Sequence, residues 1–102
     1  MVNLKNLEAL KNNDGLTLKD YEAITYKSGW QVATEGVECH TAQEALKAIN
    51  DYNGTCGVWF ADNIYYIDKS FRVKTKREAM IIGRAHKQIS VLNWRTMRLA
   101  YC

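Results

Sequence analysis

Nucleophilic or metal chemistry in this 102-residue chain would have to come from three cysteines, Cys39, Cys56 and Cys102, and two histidines, His40 and His86. Cys39 and His40 are adjacent, so on a strand they point to opposite faces. That is a poor arrangement for a Cys–His nucleophile pair or a shared metal. A structural zinc site would have to gather Cys39, His40, Cys56 and His86. There is no glycine-rich phosphate loop, no His-Glu-x-x-His and no Gly-x-Ser-x-Gly. Asp62 and Asp68 are separated by a turn and a strand, with no third acid nearby in sequence. The expectation is a protein with no catalytic residues, no metal and no cofactor.

The cysteine count is odd and no Cys-x-x-Cys spacing occurs, which points to reduced thiols in a cytosol. Cys39 and Cys56 read as small core residues on strands, and Cys102 as a terminal, exposed thiol. The segment Met1–Glu8 has an early acid and no long apolar stretch, unlike a secretory leader. No apolar run approaches a bilayer span. A cytoplasmic protein without membrane contact is expected. Hydrophobic residues make up 47% and charged residues 25% of the chain, enough apolar surface for one modest core rather than disorder. A single domain over 1–102 is expected, with 1–29 an N-terminal extension and 30–102 the core.

Chemistry of another kind is written in the charges. The net charge is only +3, but residues 1–68 hold five lysines against ten acids, net −5. Residues 69–102 hold nine cations, all five arginines among them, against Glu78 alone, net +8. Such asymmetry points to an anionic partner, or to an acidic part folded against the basic part and neutralising it.

The elements that must position these charges follow from capping and alternation. Thr41-Ala42-Gln43-Glu44-Ala45-Leu46 is repeated 34 residues later as Thr75-Lys76-Arg77-Glu78-Ala79-Met80. In each, the Thr hydroxyl accepts from the backbone three residues on and the Glu reaches back to the cap. Helices are predicted over 42–52, stopped by Asn53-Gly54, and over 76–87. Strands are predicted at Trp30–Ala33 with Val37–Cys39, at Cys56–Ala61 and at Ile64–Val73. The last two are joined by an Asp62-Asn63 hairpin turn. Further strands are predicted at Ile89–Leu92 and Met97–Tyr101. Residues 30–92 therefore read β-α-β-β-α-β, the order of an α+β ferredoxin-like sheet with both helices on one face. In the extension, Leu4, Leu7 and Leu10 suggest a helix ended by Asn12–Gly15. Leu16–Lys19 and Ala23–Tyr26 read as strands, while Thr17 and Asp20 are also spaced to open a short helix.

Alternation then places the candidate binding residues. With Val58, Phe60, Tyr65, Ile67 and Phe71 toward the core, Trp59, Tyr66 and Arg72 fall on the open sheet face. Aromatics with Arg on a sheet stack bases in RNA-recognition folds, although the Lys/Arg-Gly-Phe/Tyr signature of those folds is missing. Burial or a protein interface is the other reading of that face. Lys74, Lys76 and Arg77 lead into the second helix, whose N-terminal amides favour anions. Cations in a first helical turn oppose the helix dipole, a tension that an acidic partner relieves; a solvated Lys/Arg face is the plainer reading. Arg84, His86 and Lys87 near that helix's end complement its dipole.

The run from Ile64-Tyr65-Tyr66 to Arg72-Val73, then Thr75-Lys76-x-Glu78-Ala79 and Gly83-Arg84-Ala85-His86-Lys87-Gln88-Ile89-Ser90-Val91, resembles a motif of small phage and prophage accessory proteins. The resemblance covers about a third of the chain, and Lys87 stands where that pattern commonly has Asn. It implies a mobile-element protein that inhibits a host defence system by binding. The functional expectation is a non-catalytic binding protein acting on a host protein, with Arg72, Lys74, Lys76, Arg77, Arg84 and Lys87 as charges and Trp59, Tyr66 and Trp94 as aromatic anchors. The alternative is a nucleic-acid- or nucleotide-binding module built from the same residues. A homodimer through an uncovered sheet face or edge is a further expectation.

Overall fold

Capping chemistry starts all three helices. In the computed structural model, which describes residues 1–102, α1 spans Leu4–Glu8, α2 Ala42–Asp51 and α3 Lys76–Ala85. Asn3 and Asn6 cap α1 reciprocally, each side chain accepting from the other's backbone N–H at 3.0 and 2.9 Å. Thr41 and Thr75 accept from Glu44 and Glu78 N–H, as the repeat predicts. The glutamates differ in their return contact. Glu44 accepts from His40 N–H, one residue before the cap, and Glu78 accepts from the Thr75 hydroxyl. Lys87, at φ 57°, takes the left-handed region and ends α3 two residues before the predicted 87. Asn53 and Gly54 at φ 56° and 73° terminate α2, with Gly54 N–H donating to Ile49 O.

The strands are β1 (Asp14–Lys19), β2 (Glu22–Ala23), β3 (Trp30–Cys39), β4 (Cys56–Ala61), β5 (Ile64–Val73), β6 (Ser90–Asn93) and β7 (Arg98–Tyr101). They form one antiparallel sheet in the order β2-β1-β4-β5-β3-β6-β7. The expected four-stranded, two-helix ferredoxin-like sheet is therefore only part of a seven-stranded one, which also takes in the strands expected in the N-terminal extension and at Met97–Tyr101. β1 adds to the edge of β4, with Leu16 opposite Val58 and Leu18 opposite Cys56. β2 and β7 extend the sheet by hairpins, and α1 is a third helix. The short helix considered at Thr17 does not form, because Leu16 and Leu18 alternate inward as strand residues. The Ala23–Tyr26 strand shrinks to Glu22–Ala23. The predicted break between Ala33 and Val37 is absent, and β3 runs through it. Asp62 and Asn63 make the predicted left-handed turn at φ 53° and 62°.

The chain falls into two compact units. The first comprises Met1–Ile24 and Gly36–Lys69, with a core of Leu7, Leu18, Ile49, Cys56, Val58 and Ile67. Leu7 and Leu18 are fully buried in it, so the N-terminal residues are part of this core rather than an appendage. The second unit comprises Thr25–Glu35 and Ser70–Cys102, with Val32, Ala79 and Val91 packed under Trp30, Phe71, Val73, Met80 and Ile82.

Two substitutions test the first core. Ile49→Ala should cost about 2–5 kcal/mol, as large-to-small core changes do. Gly54→Ala should also destabilise, because φ is positive and an added Cβ would meet the Tyr21 ring at 2.5 Å. Urea denaturation followed by circular dichroism measures both.

Candidate functional site

Charge separates with the two units. The first carries five lysines against nine acids, net −4; the second carries nine Lys/Arg against Glu35 and Glu78, net +7. Ion pairs join the Met1 amino group to Glu22 at 2.9 Å and Lys47 to Asp51 at 3.3 Å, both in the first unit. None of Lys74, Arg77, Arg84, Lys87, Arg95 and Arg98 is in an ion pair, and all six are exposed. On α3, Arg77, Ile81 and Arg84 follow at spacings of four and three, which puts them on one face. Ile81 is 58% exposed between the two guanidiniums. Lys76 differs from its neighbours: its ammonium stands 5.9 Å from the Trp30 ring centroid, which satisfies a cation at the helix start by cation–π attraction.

Arg72 and Trp94, expected as contact residues, are engaged within the second unit. Arg72 is partly buried; its Nε donates to Ser28 O at 2.8 Å, and its guanidinium lies 5.3 Å from the Tyr26 ring centroid. Gly29 makes room: at φ 91° it sits so close to Arg72 that an added Cβ would lie 2.5 Å from Nε. Tyr26 meets Trp94 edge-on at 5.5 Å. Trp94 is only 6% exposed, which corrects its reading as a surface anchor. Its indole N–H donates to Gln31 Oε1 at 3.1 Å, and Gln31 Nε2 donates to the buried Ser70 hydroxyl at 3.1 Å. No buried side-chain nitrogen or oxygen is left without a partner, so burial costs little.

Trp59 and Tyr66 are brought together, directly opposite on β4 and β5. Trp59 is 45% exposed, and its ring lies against Gly15 of β1. Tyr66 lines a shallow groove of about 260 Å³ with Gly36, Val37, Glu38, Ile67 and Asp68. Both aromatics thus belong to the acidic unit, and the carboxylates of Glu38 and Asp68 share the groove with Tyr66. Lys74, Arg77, Arg84, Lys87, Arg95 and Arg98 belong to the other unit.

Cys39 and His40 diverge as alternation predicts, Cys39 buried and His40 exposed. Cys39, His40 and Cys56 lie in the first unit, and His86 caps α3 in the second. No group of three or more His, Cys, Asp or Glu side chains is placed to hold a metal ion. Burial, with the negative charge of Asp68 adding to it, pushes the Cys56 thiol up to about 12. Burial and Glu44 push Cys39 up too. Both cysteines are held as thiols, the unreactive form.

Sequence reasoning missed a set of exposed apolar side chains in the second unit: Ile81, Ile89, Met97, Leu99 and Tyr101. The signal was present for two of them. Leu99 and Tyr101 alternate with Arg98 and Ala100, so they share one face of the last strand. No helix is long and apolar enough to cross a membrane. The chain matches no protein-family model, no curated protein and no solved structure.

Cys56 predicts a pH dependence. A thiol ionises near 9.0 when unperturbed and near 12 here, so the folded state keeps a proton that the unfolded state gives up. The stability this contributes is whole below pH 9 and is lost as pH rises toward 12. Cys56→Ala should flatten the alkaline fall in stability relative to the parent chain. Denaturant titrations at pH 7, 9, 10 and 11 read the difference in slope.

Proposed function

We propose that the chain is a non-catalytic binding protein whose second unit seats on an acidic surface of a partner protein. The observation that carries this reading is the +7 unit whose exposed cations lack ion pairs and are interleaved with exposed apolar side chains. Cations alone suit any polyanion. Ile81 between Arg77 and Arg84, with Ile89, Met97, Leu99 and Tyr101 beyond, adds apolar area that a phosphate backbone does not use and a protein surface does. The contact set on this reading is Lys74, Arg77, Ile81, Arg84 and Lys87, with Arg72, Lys76 and Trp94 as internal supports.

The base-stacking alternative needs aromatics among the cations. Trp59 and Tyr66 instead stand in the acidic unit, Tyr66 beside Glu38 and Asp68, and Tyr101 alone of the strongly exposed aromatics stands in the basic unit, which favours a protein partner over a stacking platform for nucleic acid. We read the inner run β3-α2-β4-β5-α3-β6 as a ferredoxin-like core to which β1, β2, β7 and α1 are added. The resemblance to phage accessory proteins supplies the class of partner: a host defence protein, inhibited by occupation of its surface.

Capture from nuclease-treated host lysate tests this reading, with Arg77→Glu/Arg84→Glu and Ile81→Glu chains run beside the parent as bait. A stoichiometric protein should be retained by the parent chain and lost with both variants. In parallel, labelled single-stranded and duplex DNA and RNA should bind weakly at physiological salt, with log affinity falling by about 0.9 per phosphate contact for each decade of salt. Tight nucleic-acid binding at physiological salt that survives Ile81→Glu would replace the protein reading with the nucleic-acid one.

A further inference from the structure

β7 is the last strand of the sheet and pairs with β6 alone. Antiparallel pairing makes alternate residues turn their N–H and C=O toward or away from the neighbour. Cys102 N–H donates to Ile89 O at 2.9 Å, just beyond the strand. Counting back in twos, Ala100 and Arg98 face β6, and the N–H and C=O of Leu99 and Tyr101 point outward. The same two residues carry exposed apolar side chains on one face, at 55% and 72% exposure. Ala100, between them, packs toward the Val32–Ala79–Val91 core. An edge with free ladder groups and exposed apolar side chains is a template for another strand. Proteins usually blunt such an edge with a bulge, a proline or an inward charge; β7 has only its shortness and Arg98.

We infer that β7 is a docking edge for an extended acidic segment of a partner protein, which adds to the sheet as an eighth strand. This rests on the reading of the second unit as the binding surface and names how the partner engages it. Charge decides the occupant. Arg98 lies on the strand, Arg95 in the turn before it, and Lys87 two residues before the exposed Ile89, none of them in an ion pair. A second copy would bring two +7 units edge to edge, whereas an acidic strand neutralises them. The alternation of β7 also sets the pattern of the occupant. Its residues over Leu99 and Tyr101 are apolar, and those on the Arg98 face are acidic.

The test uses the full chain and a capped, fluorescein-labelled eight-residue peptide alternating valine and glutamate, read by fluorescence anisotropy. Two control peptides keep the same side chains but carry N-methyl groups on every second amide, one in each phase. One of the two should bind at least about tenfold more weakly, because it forfeits the ladder hydrogen bonds. Tyr101→Pro, which removes the outward N–H together with the ring, should weaken the parent peptide well beyond Tyr101→Ala, which removes the ring alone, while circular dichroism shows both folds intact. Equal binding of all three peptides would overturn strand addition and leave the basic-surface reading standing. No binding of any acidic peptide at low salt would overturn both. A concentration-dependent dimer by light scattering, lost in Tyr101→Pro and unaffected by the peptide, would give the edge to a second copy instead.

Discussion

A partly buried guanidinium needs acceptors, and the way Arg72 finds them organises the second unit. Its Nε takes the carbonyl of Ser28, and its plane lies over Tyr26. That fixes the segment before β3 against the sheet, with Gly29 as the residue small enough to pass beneath Arg72. Tyr26 then has an edge for Trp94, and Trp94 has Gln31 for its N–H. Once these contacts form, the sheet face that alternation left open in this unit is covered from within. What this unit leaves exposed includes the outer face of α3 and the β7 edge.

Much of this architecture was legible in local chemistry. The Thr41 and Thr75 caps, the Asp62-Asn63 turn and the Asn53-Gly54 stop depend on a few neighbouring residues, and the structure has them, although neither Glu44 nor Glu78 returns to the cap N–H as a full box would. The bounds of β5 were legible because a ten-residue alternation leaves little choice of phase. Local pattern also predicts strands at Leu16–Lys19, Ala23–Tyr26 and Met97–Tyr101, but not that they join one seven-stranded sheet, for a physical reason. β1 is six residues, and what seats it in the sheet is the edge of β4, about forty residues on; β2, two residues long, follows as a hairpin on β1. Pattern within a short run carries no information about that edge.

The site was legible in charge and not in placement. Counting residues found the basic third of the chain. Counting did not show that Arg72 and Trp94 would be spent on internal contacts, because that depends on Ser28, Tyr26 and Gln31 arriving from another strand's side. Nor did it show that Trp59 and Tyr66 would belong to the acidic unit. The division is a consequence of topology. β4 and the first half of β5 pack with α2 and the N-terminal strands, while the second half of β5 leads into α3 and the basic residues.

The unpaired cations of the second unit also bear on its stability. Nine positive groups against two negative ones repel in a small volume, and the unit buries only four hydrophobic side chains, Val32, Ala79, Val91 and Trp94. Mutual repulsion destabilises a compact state and is screened by salt. Ile81, Leu99 and Tyr101, left in water, forgo the burial that would offset it. A partner that is acidic and offers apolar area relieves both deficits at once, since it neutralises the cations and covers the exposed side chains. On the proposed reading, binding free energy on such a surface would come partly from the repulsion and exposure already present in the unbound unit, which is why cations and exposed apolar groups in one place argue more strongly for that reading than either feature alone.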